Sequence, residues 1–251
     1  MRRFFIDALA DRFCITGEDA HHLMHVLRAK NGQQIVVADA QKKVALAEII
    51  SFEENCVQLQ CLQELAADTE APVAVTLVQW LPKADKMDFI VQKAVELGVQ
   101  RIIPVAGDHC VVKYDAAKRE NRRKKWQKIA EEAAKQCGRT ILPQVEPVTS
   151  LKDVLENAGQ DVCIMCYEGQ VPCTLGAFLA QQTGEQFSLF IGPEGGFSQA
   201  ETALCTNYGV QMVTMGPRIL RAETASLAAI AIVLYEKGDL GGRGKSCQKL
   251  L

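Results

Sequence analysis

Two glycine-bearing turns near the end of the chain have the composition of a ligand pocket. The first covers residues 192–196 (Gly-Pro-Glu-Gly-Gly) and the second covers residues 216–221 (Gly-Pro-Arg-Ile-Leu-Arg). Each turn follows an apolar run that predicts a buried strand, and glycine lets the backbone turn sharply and approach a ligand closely. The first turn lacks the Lys-Ser/Thr ending of a phosphate-binding loop and holds Glu194 instead, which disfavours a bare triphosphate. The pair of turns therefore predicts one shared pocket for a ligand of lower negative charge.

Charged residues in and beside these turns are candidates for chemistry. Arg218, Arg221, Glu223 and Thr224 lie within seven residues of one another. A helix start capped by Glu223 or Thr224 accounts for Thr224, but it does not explain two arginines between a buried strand and a buried helix. Glu194 stands just before two glycines, where no capping pattern explains it. We therefore treat the arginines and Glu194 as functional candidates.

A basic helix, predicted over residues 119–136, is a second candidate surface. A charge run of this kind is as often a solvated face as a binding surface, but like charges at this density gain from an anionic partner. An apolar seam predicts that its other face is buried. RNA is the natural partner for such a surface. The basic residues that make up or extend it are Arg119, Arg122, Arg123, Lys124, Lys125 and Lys128, with Arg2, Arg3, Arg28, Lys30, Lys113 and Arg139 elsewhere.

Other chemistries have weak support in the sequence. His21 and His25 form an i, i+4 pair, but the glutamate of H-E-x-x-H and an evident third ligand are missing, so we assign no metal. Cys163 and Cys166 form the single C-x-x-C among ten cysteines, and a strand would point their thiols to opposite faces. Buried, reduced cysteine is the favoured interpretation. The absence of G-x-S-x-G, of the kinase motifs and of G-x-G-x-x-G after the first α/β strand disfavours hydrolase and dehydrogenase functions.

Length and composition are those of an ordinary globular protein. The 251 residues, 48% of them hydrophobic, suffice for one large domain or two modest ones, and the net charge of −2 gives no global attraction to nucleic acid. No apolar run reaches the roughly 18 residues that a membrane span requires. The start of the chain meets an acidic residue before any signal-peptide core develops. These features predict a cytoplasmic protein without a membrane partner.

The elements that must position the candidate residues follow from periodicity. The first part of the chain is predicted to be a small barrel-like domain over residues 1–70, with one helix over residues 21–30 that follows a capping box at residues 16–19. Its predicted strands cover residues 4–7, 34–37, 44–50 and 56–62. Residues 63–72 resemble a linker.

From residue 73 the pattern alternates between strands and helices, which predicts a mostly parallel α/β sheet over residues 73–251. Ser198, with Glu201 three residues later, predicts a capping box at the start of one helix. The predicted strands cover residues 73–80, 101–105, 162–167, 187–191 and 210–215. The predicted helices cover residues 85–97, 119–136, 151–157, 174–182 and 223–235, with one more after Ser198.

Both turns also carry a family resemblance. The run of residues 191–198, together with residues 220–225, is similar to the signature of the bacterial small-subunit ribosomal RNA uracil-N3 methyltransferases of RsmE type, which belong to the SPOUT class. The likeness extends over nearly the whole chain, through residues 3–4, 21–22, 26–28, 92–99 and 132–139. It departs at residues 107–113, where the family usually has an arginine and a serine or threonine near His109 and Cys110.

The resemblance implies a fold, a methyl donor and partners. The fold is an N-terminal PUA-like β-barrel that helps to hold RNA and a C-terminal α/β domain closed by a trefoil knot. The implied donor is S-adenosylmethionine, the RNA partner is 16S ribosomal RNA or the small ribosomal subunit, and the assembly is a homodimer. The implied donor-binding residues are Gly192, Pro193, Glu194, Gly195, Gly196, Met215, Gly216, Arg218, Ile219, Leu220, Thr224 and Ala225. The implied RNA-binding residues are Arg2, Arg3, His22, Arg28, Lys113, Arg122, Arg123 and Arg139.

The implied reaction gives roles to the charged residues. Uracil N3 is nucleophilic only as it loses its proton, so the site needs a base or a cation that stabilises the developing anion. Arg221 suits the second role, with Arg218 as a weaker candidate, and Glu194 or Glu223 could serve as the base. Three alternatives stay open: an RNA-binding protein without catalysis, a SPOUT methyltransferase for another RNA nucleotide, and a nucleotide-binding α/β enzyme.

Overall fold

The computed structural model describes residues 3–66, 69–83, 85–111 and 114–241. The described chain forms two compact units. The first contains the chain up to Glu70 together with Ala134–Leu142, and the second contains Ala71–Ala133 and the chain from Pro143 onward. The assignment of Ala134–Leu142 to the first unit has no counterpart in the sequence-based division.

The first unit is built on a five-stranded sheet. The strands are β1 (Arg3–Ile6), β2 (Arg12–Thr16), β3 (Gln34–Asp39), β4 (Val44–Glu53) and β5 (Cys56–Leu65). Strand β1 pairs in parallel with β3, and the other neighbours are antiparallel in the order β1-β3-β4-β5-β2. The predicted β-rich fold is therefore confirmed, although β2 was not predicted from the sequence. Its core includes Phe4, Ile15, Leu23, Ile35, Val37, Ile49, Val57 and Leu59.

The helical segment of this unit differs from the prediction. Helix α1 covers Gly17–His21 and continues as a π-helical turn over His22–Val26, so the predicted helix over residues 21–30 is wrong at both ends. The predicted capping box is also wrong, because the Thr16 side chain makes no capping hydrogen bond. The segment ends because Arg28 adopts φ 48°, in the left-handed region that a right-handed helix does not use.

The second unit contains a six-stranded, entirely parallel sheet. The strand order is β11-β9-β10-β6-β7-β8, so the chain crosses over neighbouring strands between β8 and β9 and between β10 and β11. The interior strands β6 and β10 are apolar on both faces, as expected where helices cover a parallel sheet. The strands are β6 (Ala74–Trp80), β7 (Arg101–Val105), β8 (Gln144–Val145), β9 (Val162–Cys166), β10 (Gln186–Ile191) and β11 (Gln211–Val213). The helices are α2 (Lys86–Leu97), α3 (Ala116–Cys137), α4 (Leu151–Glu156), α5 (Leu175–Leu179), α6 (Gln199–Asn207) and α7 (Ala222–Glu236).

The predicted parallel α/β architecture is confirmed. The capping box of α6 is confirmed as well, since the Ser198 hydroxyl accepts from the Glu201 backbone N–H and the Glu201 carboxylate accepts from the Ser198 backbone N–H. The two-residue strand β8 was missed, and β11 is shorter than predicted because Thr214 leaves the sheet and bonds to the segment before α5. The trefoil knot stays a prediction.

A buried ion pair stabilises the first unit. The Arg139 side chain is only 4% exposed and its Nη2 donates to Glu70 Oε2 at 2.6 Å. Glu70 Oε1 also accepts from the backbone N–H groups of Thr140 at 2.8 Å and Ile141 at 3.1 Å. Burial alone would raise the pKa of Glu70, but these donors together lower it below its ordinary value. These contacts therefore hold residues 139–141 against Glu70, which follows β5 in the chain.

We expect Glu70→Gln to destabilise the first unit by about 3–5 kcal/mol near neutral pH, because it leaves the buried Arg139 charge uncompensated. A carboxylate whose pKa is lowered by folding stabilises above its unfolded-state pKa and loses that contribution as the pH falls through its folded-state pKa. The difference between wild type and variant should therefore shrink below about pH 4. Urea unfolding at several pH values measures it. The exposed Glu64→Gln is the matched control, and an equal effect of both variants would contradict the prediction.

Candidate functional site

A cavity of about 270 Å³ lies at the carboxyl edge of the parallel sheet. Its walls come from the loops that follow three neighbouring strands, β9, β10 and β11. Ligands bind at this edge in open α/β sheets because the loops there converge on a common crevice. The strand order therefore brings together two turns that are separated in sequence by the helix α6 and the strand β11.

The structure brings together nearly all of the predicted pocket residues. Every predicted donor-binding residue lines the cavity except Gly195 and Thr224, and Arg221 lines it as well. The sequence analysis missed the loop after β9, which contributes Tyr167 and Glu168. These two residues lie at the carboxyl end of a third predicted strand, which is a position where ligands often bind. The sequence did not show that this strand lies beside β10. The other lining residues outside the predicted donor-binding set are Cys166, Ile191, Phe197, Thr214, Pro217 and Ala222.

A buried glutamine sets the position of the first turn. Gln79, fully buried in β6, donates from Nε2 to the Trp80 carbonyl at 2.9 Å and to the Ile191 carbonyl at 3.3 Å. Its Oε1 accepts from the hydroxyl of Ser226, which also donates to the Ala222 carbonyl at 2.8 Å. A buried amide is stabilising only when its polar atoms are satisfied, as they are here. The amide thus joins the last residue of β10 to the first turns of α7.

The far end of the first turn is held by Glu201. Its Oε1 accepts from Trp80 Nε1 at 2.7 Å and from the Asp108 backbone N–H at 3.1 Å, and Oε2 accepts from the Ser198 backbone N–H at 2.8 Å. The Phe197 ring packs edge-on against Trp80, with centroids 4.9 Å apart. The first turn is therefore clamped between β6 and the start of α6.

His109 contacts the middle of this turn. Its Nδ1 lies 3.0 Å from the Gly195 carbonyl and 3.2 Å from the Gly196 carbonyl, so Nδ1 carries the proton and donates. A Cβ on Gly195 would come within 3.1 Å of His109 Cβ. This position is where the resemblance departs, and here the histidine stabilises the turn.

The second turn is tied to the sheet through its first residues. Thr214 exchanges backbone hydrogen bonds with the segment before α5, and its hydroxyl lies 3.2 Å from both the backbone N–H and the carbonyl of Gly216. Residues 216–219 are exposed, and Ile219 has 81% of its surface accessible to solvent. The outer part of the turn is thus accessible to a ligand.

Three charged side chains form a cluster beside the cavity. Lys86, the first residue of α2, places its Nζ 2.9 Å from Glu194 Oε1 and 3.0 Å from Glu223 Oε2. Hydrogen bonds to Glu194 and then to Glu223 raise the pKa of Lys86. Burial would raise the pKa of both carboxyl groups, but their bonds to Lys86 and to backbone N–H groups lower it. The two predicted bases are therefore ionised and share one ammonium group.

Arg221 is the N-terminal boundary residue of α7 and its side chain is exposed at the cavity. Arg218 is also exposed and lines the cavity. The nearby positive charge of Arg221 contributes to the lowered pKa of Glu223. The arrangement places two guanidinium groups and the carboxylates of Glu168 and Glu194 around one cavity, which suits a polar ligand that carries both charges.

The predicted RNA-binding residues fall into four groups. Arg3 and Arg139 are buried and bonded inside the first unit, to the Gly138 carbonyl and to Glu70, so we leave them out of the proposed RNA surface. Arg28 is exposed on the first unit. Three of the predicted residues are half-buried: His22, Arg122 and Arg123. The Arg123 guanidinium forms an ion pair with Glu120 at 2.7 Å. Arg2 and Lys113 lie outside the described residues.

The cysteines of the C-x-x-C pair behave as partly buried thiols. Burial raises the pKa of Cys163 to about 11 and that of Cys166 to about 12. Within the part of the chain that the structure describes, no three metal-ligating side chains converge on a common point. The described helices also include none with the length and apolar character of a membrane span.

Comparisons with known proteins define the class. A family model described as an RNA methyltransferase domain matches residues 69–234, and one described as an RNA methyltransferase PUA domain matches residues 15–59. These are the two parts of an RNA methyltransferase with an N-terminal PUA domain.

Individual relatives narrow the class. The chain is 34% identical to the ribosomal RNA small subunit methyltransferase E of Bacillus subtilis, over 96% of this chain and 99% of the relative. It is 33% identical to the protein of that name from Synechocystis, over 86% of this chain and 71% of the relative. A crystal structure of ribosomal RNA small subunit methyltransferase E from Neisseria gonorrhoeae bound to S-adenosyl methionine matches with a TM-score of 0.84 and 33% identity, covering 92% of this chain and 96% of that chain. The chain belongs to the family of ribosomal RNA small subunit methyltransferase E proteins.

We expect Gly107→Ala to destabilise the second unit by about 1–3 kcal/mol, because a Cβ there overpacks the core. That Cβ would lie 2.1 Å from the Trp80 ring and 2.4 Å from Glu201 Oε1, and Trp80 is fully buried. Urea unfolding followed by tryptophan fluorescence measures the change. Gly176→Ala in α5 is the control, since its Cβ would meet no atom within 4 Å. Equal stability of the two variants would contradict the prediction, because it would show that the Trp80 side chain moves aside at little energetic cost.

Proposed function

We propose that this protein transfers a methyl group from S-adenosylmethionine to N3 of a uridine in the 16S ribosomal RNA of the small subunit. The observation that carries the proposal is the cavity at the carboxyl edge of β9, β10 and β11, lined by the two glycine turns. Family membership supports the same activity, and the Neisseria gonorrhoeae relative is described as bound to the methyl donor.

The cavity fits this donor chemically. S-adenosylmethionine, when bound, supplies an electrophilic methyl group on a positively charged sulfonium and also carries an amino and a carboxylate group. Glu168 and Glu194 line the cavity and favour the positive groups, while Arg218 favours the carboxylate. A Cβ on Gly192 would come within 3.1 Å of the Phe197 ring, so glycine favours the close packing of the turn against this ring. We therefore propose that the two turns, with Tyr167, hold the donor.

Arg221 is the residue that we propose stabilises the reacting base. Uracil N3 attacks only as its proton leaves, and a guanidinium fixed at the cavity stabilises the negative charge that develops on the ring. Glu194 or Glu223 accepts the proton in this proposal. Both carboxyl groups have a lowered pKa, which makes each a weaker base, so stabilisation of the anion by Arg221 has the larger part.

The two parts of the chain have separate roles in the proposal. Residues 1–70 form an RNA-binding domain, and residues 73–251 form the methyltransferase domain with its knot. Arg28, His22, Arg122 and Arg123 are the described cations and polar groups that we propose contact RNA phosphates. We also propose that the protein acts as a homodimer in the cytoplasm.

Methyl transfer to small ribosomal subunits that lack the modification tests the function. Labelled S-adenosylmethionine is supplied, the RNA is digested and its nucleosides are separated. We expect 3-methyluridine to carry the label. Label in another nucleoside would indicate a methyltransferase with a different target atom. RNA binding without any label would leave the RNA-binding alternative.

We expect Arg221→Ala to lower the rate of methyl transfer about a hundredfold, because removal of one donor from an anion-stabilising site costs this much. Donor affinity should change far less, since many backbone groups of the turns remain. Single-turnover rates and calorimetric donor binding separate the two effects. Arg101→Ala is a matched control, because Arg101 pairs with Glu146 at the opposite, amino end of β7. Normal turnover of Arg221→Ala with normal donor binding would refute the role.

A further inference from the structure

Lys86 lies where three separate segments of the second unit meet. It is the first residue of α2, and its ammonium group contacts Glu194 of the first turn and Glu223 in the first turn of α7 at 2.9 and 3.0 Å. The sequence analysis gave it no role, because a lysine at a helix start resembles an ordinary surface residue. Here it is the shared partner of two residues that flank the proposed donor pocket.

The cluster is shielded enough for the charges to matter. The side chains of Lys86, Glu194 and Glu223 are 28%, 24% and 20% exposed. Glu223 Oε2 is cut off from solvent, and the Lys86 ammonium 3.0 Å away is its charged partner. Ion pairs that are this well covered are screened less by solvent than exposed pairs.

Glu194 depends on the same region of chain. Besides Lys86, its two carboxylate oxygens accept from the Lys83 backbone N–H at 3.2 and 3.3 Å. The segment from β6 to the start of α2 therefore also holds the first turn, through both Lys83 and Lys86. Without Lys86, the two carboxylates would lose the ammonium that they now share.

We propose that Lys86 is a positioning residue for the methyl donor: it locks the first glycine turn to the start of α7 and so fixes the shape of the donor pocket. The inference rests on the proposed function. It assigns Lys86 no contact with the donor, only the placement of Glu194 and, through α7, of Arg221. Loss of the ammonium should let the carboxylates repel each other and the two turns move apart.

The test is calorimetric binding of S-adenosylhomocysteine to the full chain. We expect Lys86→Met to weaken binding about tenfold, which is the size of coupling found within one charge network. Lys86→Arg should restore much of the affinity, because a guanidinium can also bridge two carboxylates. Lys93→Met is the matched control, since Lys93 lies on the same helix and pairs with Glu96 at 2.8 Å away from both turns.

The pH dependence separates positioning from a general loss of stability. Within the described residues, Glu194 and Glu223 face the Lys86 ammonium, the Arg221 guanidinium and the Lys83 backbone N–H, and the His109 ring bonds the same turn in wild type and variant alike. In wild type the carboxylates stay ionised, so affinity should be nearly constant. In Lys86→Met one carboxyl group should take up a proton more easily, so affinity should recover as the pH falls from about 8 to about 5.

A double variant keeps the test available if Lys86→Met does not fold. Lys86→Met combined with Glu223→Gln leaves a single carboxylate, so it should fold. Because no ion pair then joins the first turn to α7, it should bind S-adenosylhomocysteine more weakly than wild type and than Lys86→Arg. Wild-type affinity and an unchanged pH profile in Lys86→Met would overturn the inference. Failure of the wild-type protein to bind either S-adenosylmethionine or S-adenosylhomocysteine would instead overturn the proposed function, and the inference with it.

Discussion

The candidate site depends on the buried amide of Gln79. A glycine-rich turn has few side chains of its own to pack, so its position is set by the groups at its ends. Gln79 reaches the Ile191 carbonyl, where β10 ends, and accepts from Ser226 on α7. In the low-dielectric interior such an amide has no water to replace a lost partner, so it holds strand, turn and helix in one arrangement.

The parallel sheet then determines which groups share the cavity. Because β10 lies between β9 and β6, and β9 between β11 and β10, the loops after β9, β10 and β11 open on one edge. The turns place Glu194 and Arg221 at the same cavity, and Lys86 prevents the acidic groups from repelling each other. Packing thus determines the backbone conformation of the site, and the cluster of Lys86, Glu194 and Glu223 holds the first turn against the start of α7.

Periodicity and turn chemistry predicted the parallel sheet and the two glycine turns of the cavity, because burial and glycine content leave local patterns in a sequence. They could not supply what depends on partners distant in sequence. Tyr167 and Glu168 were missed since strand order is not a local property. The burial of Arg139 depends on Glu70, 69 positions away. The spacing of apolar residues predicts a helix but does not distinguish a π-helical turn, such as the one before Arg28, from a regular α-helix.

The most direct test of the central claim is hydrogen exchange of the protein with and without S-adenosylhomocysteine. The claim is that both glycine turns form one donor pocket. It predicts slower exchange at the backbone N–H groups of residues 192–197 and of residues 214–221 when the ligand is bound, with the β4 and β5 strands unchanged. Binding that slows exchange at only one turn, or at neither, would contradict the account.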